Sequence, residues 1–298
     1  MGDQRAPRLS IVIPTKDRPD LLAAAIGSAL DSLPDDAEVI VVDDRSDLPC
    51  PVLRDARVRF TSSKATPGAS GARNWGVAQA RGHRILFLDD DDLLLPGYAR
   101  WVVDQRADYG FSAIKQFAGH GNVPRPQFVA GRTERIATIP SFRHRLAGLG
   151  CGFWIDRVTF LGVGGLAEDI AVNEDTEFSI RLLRAGLEGL RSAEPGVMVR
   201  LHHADYITRG HLTHSASASL RASFFATILD RHADWLEENR EIRRHLRMRA
   251  IKFLAKAGET KAAEKLLADV EPMIERATLF WHYQICRLVE RFRTGSAR

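Results

Sequence analysis

The sequence predicts an α/β fold in which a mixed, mainly parallel sheet is sandwiched by helices. Short runs of β-branched and other apolar residues, typical of buried strands, alternate with segments in which apolar residues recur at helical spacing. Strands and helices in alternation form parallel sheets with helices on both faces. Four strands are predicted in the N-terminal part, over Leu9–Pro14, Val39–Val42, Arg57–Thr61 and Ile85–Leu88.

The segments between these strands carry helix signals. Pro19 suits the first turn of a helix, and apolar residues continue at helical spacing to Leu33. A glycine-rich turn, Pro67–Gly71, precedes a helix predicted over Ala72–Ala80. Residues Phe111–Phe117 predict a further strand.

From about residue 215 onward the pattern is helical throughout. We therefore predict two domains: an α/β domain over residues 1–215 and an all-helical C-terminal region over 216–298.

Composition indicates a globular protein of the cytoplasm. The 298 residues are 45% hydrophobic and 27% charged, which is typical of soluble domains. No apolar run approaches the roughly 20 residues that span a bilayer, and the polar start, Met1–Arg8, predicts no secretory signal. The cysteines at 50, 151 and 286 are few and far apart, which favours a reducing compartment over a disulfide or zinc framework.

The net charge of +4 is unevenly distributed. Residues 240–298 hold 14 Lys/Arg against 7 Asp/Glu, whereas residues 1–239 hold 28 against 31. Such a basic tail can contact nucleic acid, anionic lipid or only solvent. We find neither aromatic stacking platforms nor a nucleic-acid-binding motif, so nucleic acid is not a predicted partner.

Four consecutive aspartates, Asp89–Asp92, follow directly on the predicted strand Ile85–Leu88. Carboxylates this close repel one another unless a cation or hydrogen bonds neutralise them, and their hard oxygens suit Mg²⁺ or Mn²⁺ together with substrate phosphates. A solvated acidic turn is the alternative, but the run continues into apolar Leu93–Leu95. Ligands of parallel sheets bind beyond the carboxyl ends of strands. Thr15 and Asp44 are predicted at the same edge, so we expect a single metal–diphosphate site.

Five motifs, in this order and spacing, resemble those of family-2 glycosyltransferases, which have the Rossmann-like GT-A fold. The resemblance covers about residues 9–215 and leaves 216–298 outside. The motifs are Ser10–Pro19, Val39–Ser46, Pro67–Asn74, Phe87–Asp92 and Asn173–Phe178.

The resemblance implies a nucleotide-diphospho-sugar donor, with a UDP-sugar favoured, and Mn²⁺ or Mg²⁺ as cofactor. By the family pattern, the nucleoside pocket maps to Pro14, Thr15, Asp17, Arg18 and Asp44. Asp43 is expected near this pocket, and capping of a turn is an alternative role for Asp43 or Asp44.

The family pattern also assigns roles around the aspartates. Gly71 belongs to a segment that lies against the nucleotide, and Arg73 is interpreted as a brace for the carboxylates rather than a phosphate clamp. The Asp-X-Asp metal motif makes Asp91 the direct metal ligand and places Asp89 on ribose or on a metal-bound water. Because this chain also has an aspartate at the X position, Asp90 is an alternative ligand one residue away.

Two further elements complete the implied site. Glu174 and Asp175 fall in the first turn of a predicted helix, where acids are stabilised by the helix dipole in any case; the family pattern makes Asp175 the general base. The segment 206–215 resembles the loop that closes over the diphosphate, with Arg209 on the leaving group and His211 on the metal. His214 is a competing register, and ordinary surface histidines are the other alternative.

The resemblance implies an inverting, metal-dependent glycosyltransferase of the hexosyltransferase type. Its acceptor is expected to be a hydroxyl of a glycan or lipid-linked molecule in cell-surface polysaccharide synthesis. A sugar-phosphate nucleotidyltransferase is an alternative, but it needs a basic glycine-rich loop where Pro14–Asp17 stands. A haloacid-dehalogenase-like phosphatase needs its aspartates after the first strand. A non-catalytic nucleotide-sugar-binding protein would have no need of both Asp91 and Asp175.

The end of the chain predicts an amphipathic helix that begins near Arg276. Arginines occupy its other faces. Such a helix can lie in a membrane interface beside a lipid-linked acceptor, at the inner face of the membrane, or pack on a neighbouring helix, which is the favoured interpretation. Its apolar residues, called here the C-terminal stripe, are Trp281, Ile285, Leu288 and Phe292.

Overall fold

The computed structural model describes residues 7–50, 53–119, 123–146, 148–201, 216–268, 270 and 273–295. The chain divides into two compact units, residues 1–207 and 208–298. This division lies in the segment 202–215, which is outside the described residues.

A mixed sheet forms the centre of the N-terminal unit. Its strand order is β3-β2-β1-β4-β8-β6-β9-β5, with β7 paired to β9. The β3-β2-β1-β4 half is entirely parallel, whereas β8 runs antiparallel to both β4 and β6. The predicted α/β sheet is thereby confirmed, and its four N-terminal strands are the predicted ones. The strands are β1 Leu9–Thr15, β2 Ala37–Asp43, β3 Val58–Ser62, β4 Arg84–Phe87, β5 Leu93–Leu94, β6 Tyr109–Phe117, β7 Thr133–Arg135, β8 Trp154–Asp156 and β9 Gly189–Arg200.

Helices cover both faces of this sheet. The second helix begins at Ala69, three residues before its predicted start, because the glycine-rich turn itself enters the helix. A short 3₁₀ helix spans Ile136–Thr138. The α-helices are α1 Pro19–Ser32, α2 Ala69–Gln79, α3 Tyr98–Val103, α4 Phe142–Arg145, α5 Arg157–Gly162 and α6 Glu174–Arg184.

The strands β1, β2 and β4 are buried because alternate side chains point to opposite sides of the sheet, and helices cover both sides. In β1, Ile11 and Ile13 belong to the hydrophobic core that includes α1, whereas Val12 belongs to the core that includes α2. Helix α2 lies so close to the sheet that a Cβ on Gly76 would stand 2.4 Å from Val12. Parallel pairing brings the carboxyl ends of β1, β2 and β4 to one edge, where the Asp44 amide donates to the Thr15 carbonyl at 2.9 Å.

The described part of the C-terminal unit consists of helices and the short turns between them, as predicted. Helix α9 packs against α7 and α11 through buried Phe225, Ile251, Leu279 and Tyr283. Within the described ranges, no helix is long and apolar enough to cross a membrane. The helices are α7 Ala218–Arg231, α8 Ala233–Glu238, α9 Arg240–Ala257, α10 Thr260–Ala268 and α11 Met273–Gly295.

The favoured interpretation of the C-terminal stripe is wrong. Trp281, Ile285 and Leu288 are 65%, 58% and 54% exposed, and do not pack in a core. Helix α11 instead buries the opposite side, through Leu279 and Tyr283, against α9. The side chain of Phe292 lies outside the described part of the structure.

Candidate active site

The four aspartates form a tight turn between β4 and β5, closed by the Asp92 amide, which donates to the Asp89 carbonyl at 3.2 Å. Their carboxylates diverge to different partners. The side chains of Asp90, Asp91 and Asp92 are buried, whereas that of Asp89 is 31% exposed. Each aspartate therefore has its own environment.

Asp90 faces the end of β1. Its carboxylate accepts hydrogen bonds from Thr15 Oγ1 at 2.7 Å and from Arg18 Nη1 at 3.0 Å. Burial raises the pKa of Asp90 to about 6, against the opposing effect of the Arg18 charge. Asp90 therefore ties the ends of β1 and β4 together.

Asp91 shares the same arginine. Its Oδ2 accepts from Arg18 Nη1 at 2.8 Å, so one guanidinium nitrogen bridges Asp90 and Asp91. Arg200 Nε donates to the backbone carbonyl of Asp91 at 2.8 Å, and the Arg200 amide donates to Asp92 Oδ1 at 2.9 Å. Burial and the charges of Asp91 and Asp89 raise the pKa of Asp92 well above its usual range.

Arg200, at the end of β9, was not predicted as a site residue. The only signal in the sequence is a single arginine that ends the apolar run Val197–Val199. Such an arginine is also common at the surface, so the pairing with the aspartate turn follows only from the sheet order. The hydrogen bonds of Arg200 to the Asp91 carbonyl and to the Asp92 carboxylate fix the position of the aspartate turn relative to β9.

Arg73 links three elements. From α2, its Nη2 donates to Asp89 Oδ1 at 2.6 Å, and its Nη1 lies 3.5 Å from Glu174 Oε1 at the start of α6. Burial alone would lower the pKa of Arg73, but the charges of Asp89 and Glu174 raise it. The guanidinium is therefore a buried counter-charge that holds the end of β4 near the first turn of α6.

Glu174 and Asp175 begin α6, immediately after Asn173, whose φ of 68° breaks the preceding chain direction. Burial, together with the neighbouring Asp175 charge, raises the pKa of Glu174 to about 7. Asp175 is half-buried, and its Oδ1 accepts from the Thr176 amide at 2.7 Å. Glu174 is a further residue of the site that was not assigned a role from the sequence.

Asp43 and Asp44, at the end of β2, accept hydrogen bonds from backbone amides of neighbouring turns. Asp44 Oδ2 accepts from the Gly68 amide at 2.7 Å, and its Oδ1 accepts from Arg45 at 2.8 Å. Asp43 Oδ1 accepts from the Ser46 amide at 3.2 Å, a contact that corresponds to the capping alternative. Asp44 thus connects the end of β2 to the glycine-rich turn before α2.

That turn depends on Gly71. A Cβ at this position would stand 1.9 Å from the Thr66 carbonyl oxygen, so no larger residue fits without moving the backbone. The position of Gly71 therefore sets the shape of the turn whose amide contacts Asp44.

The remaining predicted nucleoside residues lie around the end of β1. Pro14 is half-buried within the strand. Asp17, with φ of 56°, accepts from the amides of Asp47 and Leu48 at 2.7 and 3.0 Å. Arg209, His211 and the alternative His214 lie outside the described residues.

The carboxylates of the site fit a metal ion that is held mainly by the phosphates of a substrate. Across the described ranges, no group of three or more His, Cys, Asp or Glu side chains could hold a metal ion. Mg²⁺, however, is commonly held by one or two carboxylates, with phosphates and waters completing its shell. Asp91 and Asp89 are carboxylates of this kind at the edge of the sheet, and each also accepts from an arginine, Asp91 from Arg18 and Asp89 from Arg73.

Comparisons with known proteins give the same family as the motifs. The sequence profile described as "Glycosyl transferase family 2" matches residues 10–150. The Campylobacter jejuni GalNAc(5)-diNAcBac-PP-undecaprenol beta-1,3-glucosyltransferase is 35% identical over 39% of this chain and 43% of its own length. The Rhizobium meliloti succinoglycan biosynthesis protein ExoO is 37% identical over 35% of this chain and 31% of its own length. The chain thus spans less than half of the length of either relative.

The fold is shared with a solved structure. Residues 1–349 of S. aureus TarS, in complex with UDP-GlcNAc, superpose with a TM-score of 0.54 at 15% identity, covering 97% of this chain and 92% of that one. Residues 10–150 thus match the profile of family-2 glycosyltransferases, and the chain shares the GT-A fold.

Proposed function

We propose that this protein is an inverting, metal-dependent glycosyltransferase that moves a sugar from a nucleotide-diphospho-sugar to an acceptor hydroxyl. The observation that carries the proposal is the site at the carboxyl ends of the parallel strands, where Arg73 links Asp89 of the aspartate turn to the helix that bears Asp175. This supports the proposal, because the aspartate turn assigned to the sugar donor and the proposed general base, Asp175, then lie at the same edge of one sheet.

On the donor side, the nucleoside is assigned to Pro14, Thr15, Asp17, Arg18 and Asp44, and the diphosphate to the aspartate turn. The contacts of the Asp44 amide with the Thr15 carbonyl and of the Thr15 hydroxyl with Asp90 support this, because they join the ends of β2, β1 and β4 into one surface. Asp91 would hold Mn²⁺ or Mg²⁺, with His211 as a second ligand and Arg209 on the leaving group. When bound, the metal supplies Lewis-acid stabilisation of the departing phosphate charge.

On the acceptor side, Asp175 accepts the proton of the acceptor hydroxyl as its oxygen bonds to the anomeric carbon. The bond between that carbon and the phosphate oxygen breaks, and the nucleoside diphosphate leaves from the opposite face. A single displacement inverts the configuration, so an α-linked donor gives a β-glycoside. The counter-charge of Arg73 keeps α6 in place against the aspartate turn while this occurs.

Polysaccharide synthesis is the proposed context. The two curated relatives are a glucosyltransferase that acts on an undecaprenol-linked oligosaccharide and a succinoglycan biosynthesis protein. A glycan or lipid-linked acceptor follows by analogy with them, and the cytoplasmic location is proposed from the sequence composition alone. UDP-sugars are the first donors to test, because TarS, which shares the fold, binds UDP-GlcNAc.

The test is a calorimetric screen of UDP-, GDP-, dTDP- and CDP-sugars with and without Mn²⁺, followed by an assay of nucleoside diphosphate release. We expect one base to bind in a Mn²⁺-dependent manner. Asp175→Asn should retain that binding and lose about 10²–10⁴-fold in transfer rate. Release of pyrophosphate from a nucleoside triphosphate would favour a nucleotidyltransferase. Donor binding without transfer to any glycan or lipid-linked acceptor would favour a non-catalytic binding protein.

A further inference from the structure

Helix α11, Met273–Gly295, presents an apolar surface to solvent along several turns. The exposed members of the C-terminal stripe, Trp281, Ile285 and Leu288, are joined on the same side by Val289, which is 50% exposed. Because these positions recur every three or four residues, they lie on one face of the helix. The opposite face is occupied, since Leu279 and Tyr283 are buried against α9.

The exposed surface extends beyond the stripe. Phe280, which is 44% exposed, and Met273 border an open groove between α10 and α11, which is also lined by Leu267 and Ala268. Monomeric soluble proteins rarely expose contiguous apolar patches of large size unless the patch is a contact surface. The exposed apolar surface of α11 is therefore expected to be a contact surface for another molecule.

The charges of α11 indicate what kind of partner. The helix carries four arginines, at 276, 287, 291 and 293, and two glutamates, Glu275 and Glu290. Both glutamates lie on the inner side and pair with α9: Glu275 with Arg247 at 3.1 Å, and Glu290 with Lys256 at 3.8 Å. The helix thus combines an apolar outer face with an excess of positive charge.

We propose that the outer face of α11 binds the surface of an anionic lipid bilayer, lying in the interface rather than crossing it. A helix with an apolar face, flanking arginines and a tryptophan is typical of such contacts, and tryptophan favours the headgroup region. A second copy of this chain fits less well, because it would bring together two helices with the same excess of positive charge. The acidic headgroups of a bilayer complement this charge instead.

The test is cosedimentation of the full-length protein with vesicles of phosphatidylcholine containing about a quarter phosphatidylglycerol. The variant is Ile285→Ser/Leu288→Ser, and the matched control is Val158→Ser/Leu161→Ser on α5. Val158 and Leu161 are 74% and 47% exposed and stand three residues apart on a helix of the other unit. Each double variant replaces two exposed aliphatic side chains with serine.

We expect the α11 variant to lose at least about fivefold in the bound fraction, and the control to bind as the parent does. Phosphatidylcholine vesicles alone should bind little. Addition of the anionic vesicles should shift tryptophan fluorescence to shorter wavelength in the parent, and Trp281→Phe should remove that shift while it still binds. Melting curves of both double variants should match the parent, since the replaced side chains are exposed.

Three results would overturn the proposal: equal vesicle binding by the α11 variant and the parent, equal binding to neutral and anionic vesicles, or a dimer of the parent that the α11 variant abolishes without any vesicle binding. The assay uses no donor, metal or acceptor. A failure here leaves the proposed glycosyltransferase activity untouched, and an inactive protein can still pass it.

Discussion

Arg73 donates to Asp89 at 2.6 Å from a buried position, and so connects the aspartate turn to the helix that carries Asp175. The same guanidinium lies 3.5 Å from Glu174. A single buried cation thus stands between the acids assigned to the donor and the acids assigned to the acceptor. Because buried charges are stable only when paired, removal of this arginine affects both sides at once.

Arg73→Gln should therefore destabilise the protein strongly. The change leaves Asp89 and Glu174 without their shared cation, and breaking a buried pair in this way typically costs about 3–5 kcal/mol. Urea unfolding at neutral pH measures the loss. The control is Arg45→Gln, since Arg45 pairs with Asp44 but its side chain is 46% exposed, and exposed pairs contribute about 0–1 kcal/mol. Equal effects of the two changes would contradict a bracing role for Arg73.

The register of the metal ligand can be decided by two isosteric changes. Asp91→Asn should abolish the Mn²⁺-dependent part of nucleoside diphosphate binding and leave the fold intact. Asp90→Asn should retain that dependence. Both changes weaken a buried contact with Arg18, and Asp90→Asn also weakens the one with Thr15, so each should lower the free energy of unfolding by about 1–3 kcal/mol, with Asp90→Asn at the upper end. Calorimetry with and without Mn²⁺, beside urea unfolding, separates the two effects. The reverse pattern would place the ligand at Asp90.

Glu174 predicts a pH dependence of stability. Its pKa rises from 4.5 to about 7 on folding, so the folded state binds the proton more tightly than the unfolded state. The contribution of this carboxyl is fully present below pH 4.5 and is lost as pH rises through about 7. Across that window, Glu174→Gln should gain stability relative to the parent at up to about 1.4 kcal/mol per pH unit.

The control for this prediction is Glu168→Gln. Folding lowers the pKa of Glu168 through hydrogen bonds from Asn74 and Thr66, although partial burial opposes them. Its stability contribution is present above its ordinary pKa and is lost only as the medium becomes more acidic. Between about pH 5 and 8 its difference from the parent should stay nearly constant. A flat difference for Glu174→Gln over the same range would mean that Glu174 is ionised throughout.

Much of the fold and of the site edge could be predicted from local patterns. Runs such as Leu9–Pro14 and Ile85–Leu88 are long, apolar and bounded by polar residues, and the parallel arrangement brings their carboxyl ends together. The positions of Thr15 and Asp44 beside the aspartate turn follow from that rule alone. Their hydrogen-bond partners do not, because the choice between Asp90 and Asp91 depends on the turn geometry.

The contributions of Arg200 and Glu174 could not be predicted in this way. Arg200 reaches the aspartate turn only because β9 pairs with β5, its neighbour at the sheet edge. That pairing joins residues about a hundred positions apart, and no local pattern encodes it. The predicted packing of the C-terminal stripe was wrong for a related reason. Helix α11 has two apolar sides, and the side with Leu279 and Tyr283 packs against α9.

The glycine-rich turn gives the last prediction. Gly71→Ala should destabilise the protein by several kcal/mol, because its Cβ would meet the Thr66 carbonyl oxygen at 1.9 Å and force the backbone of the turn to move. Since Asp44 accepts from Gly68 in the same turn, donor affinity should fall as well. Gly27→Ala, within α1, is the matched control: nothing lies within 4 Å of its Cβ, and alanine should stabilise the helix by about 0.5–1 kcal/mol. Thermal melting and donor calorimetry of the two variants check these effects. Normal stability in Gly71→Ala would show that the backbone of the turn moves at little cost in free energy. Normal donor affinity would show that the turn is not part of the nucleotide site.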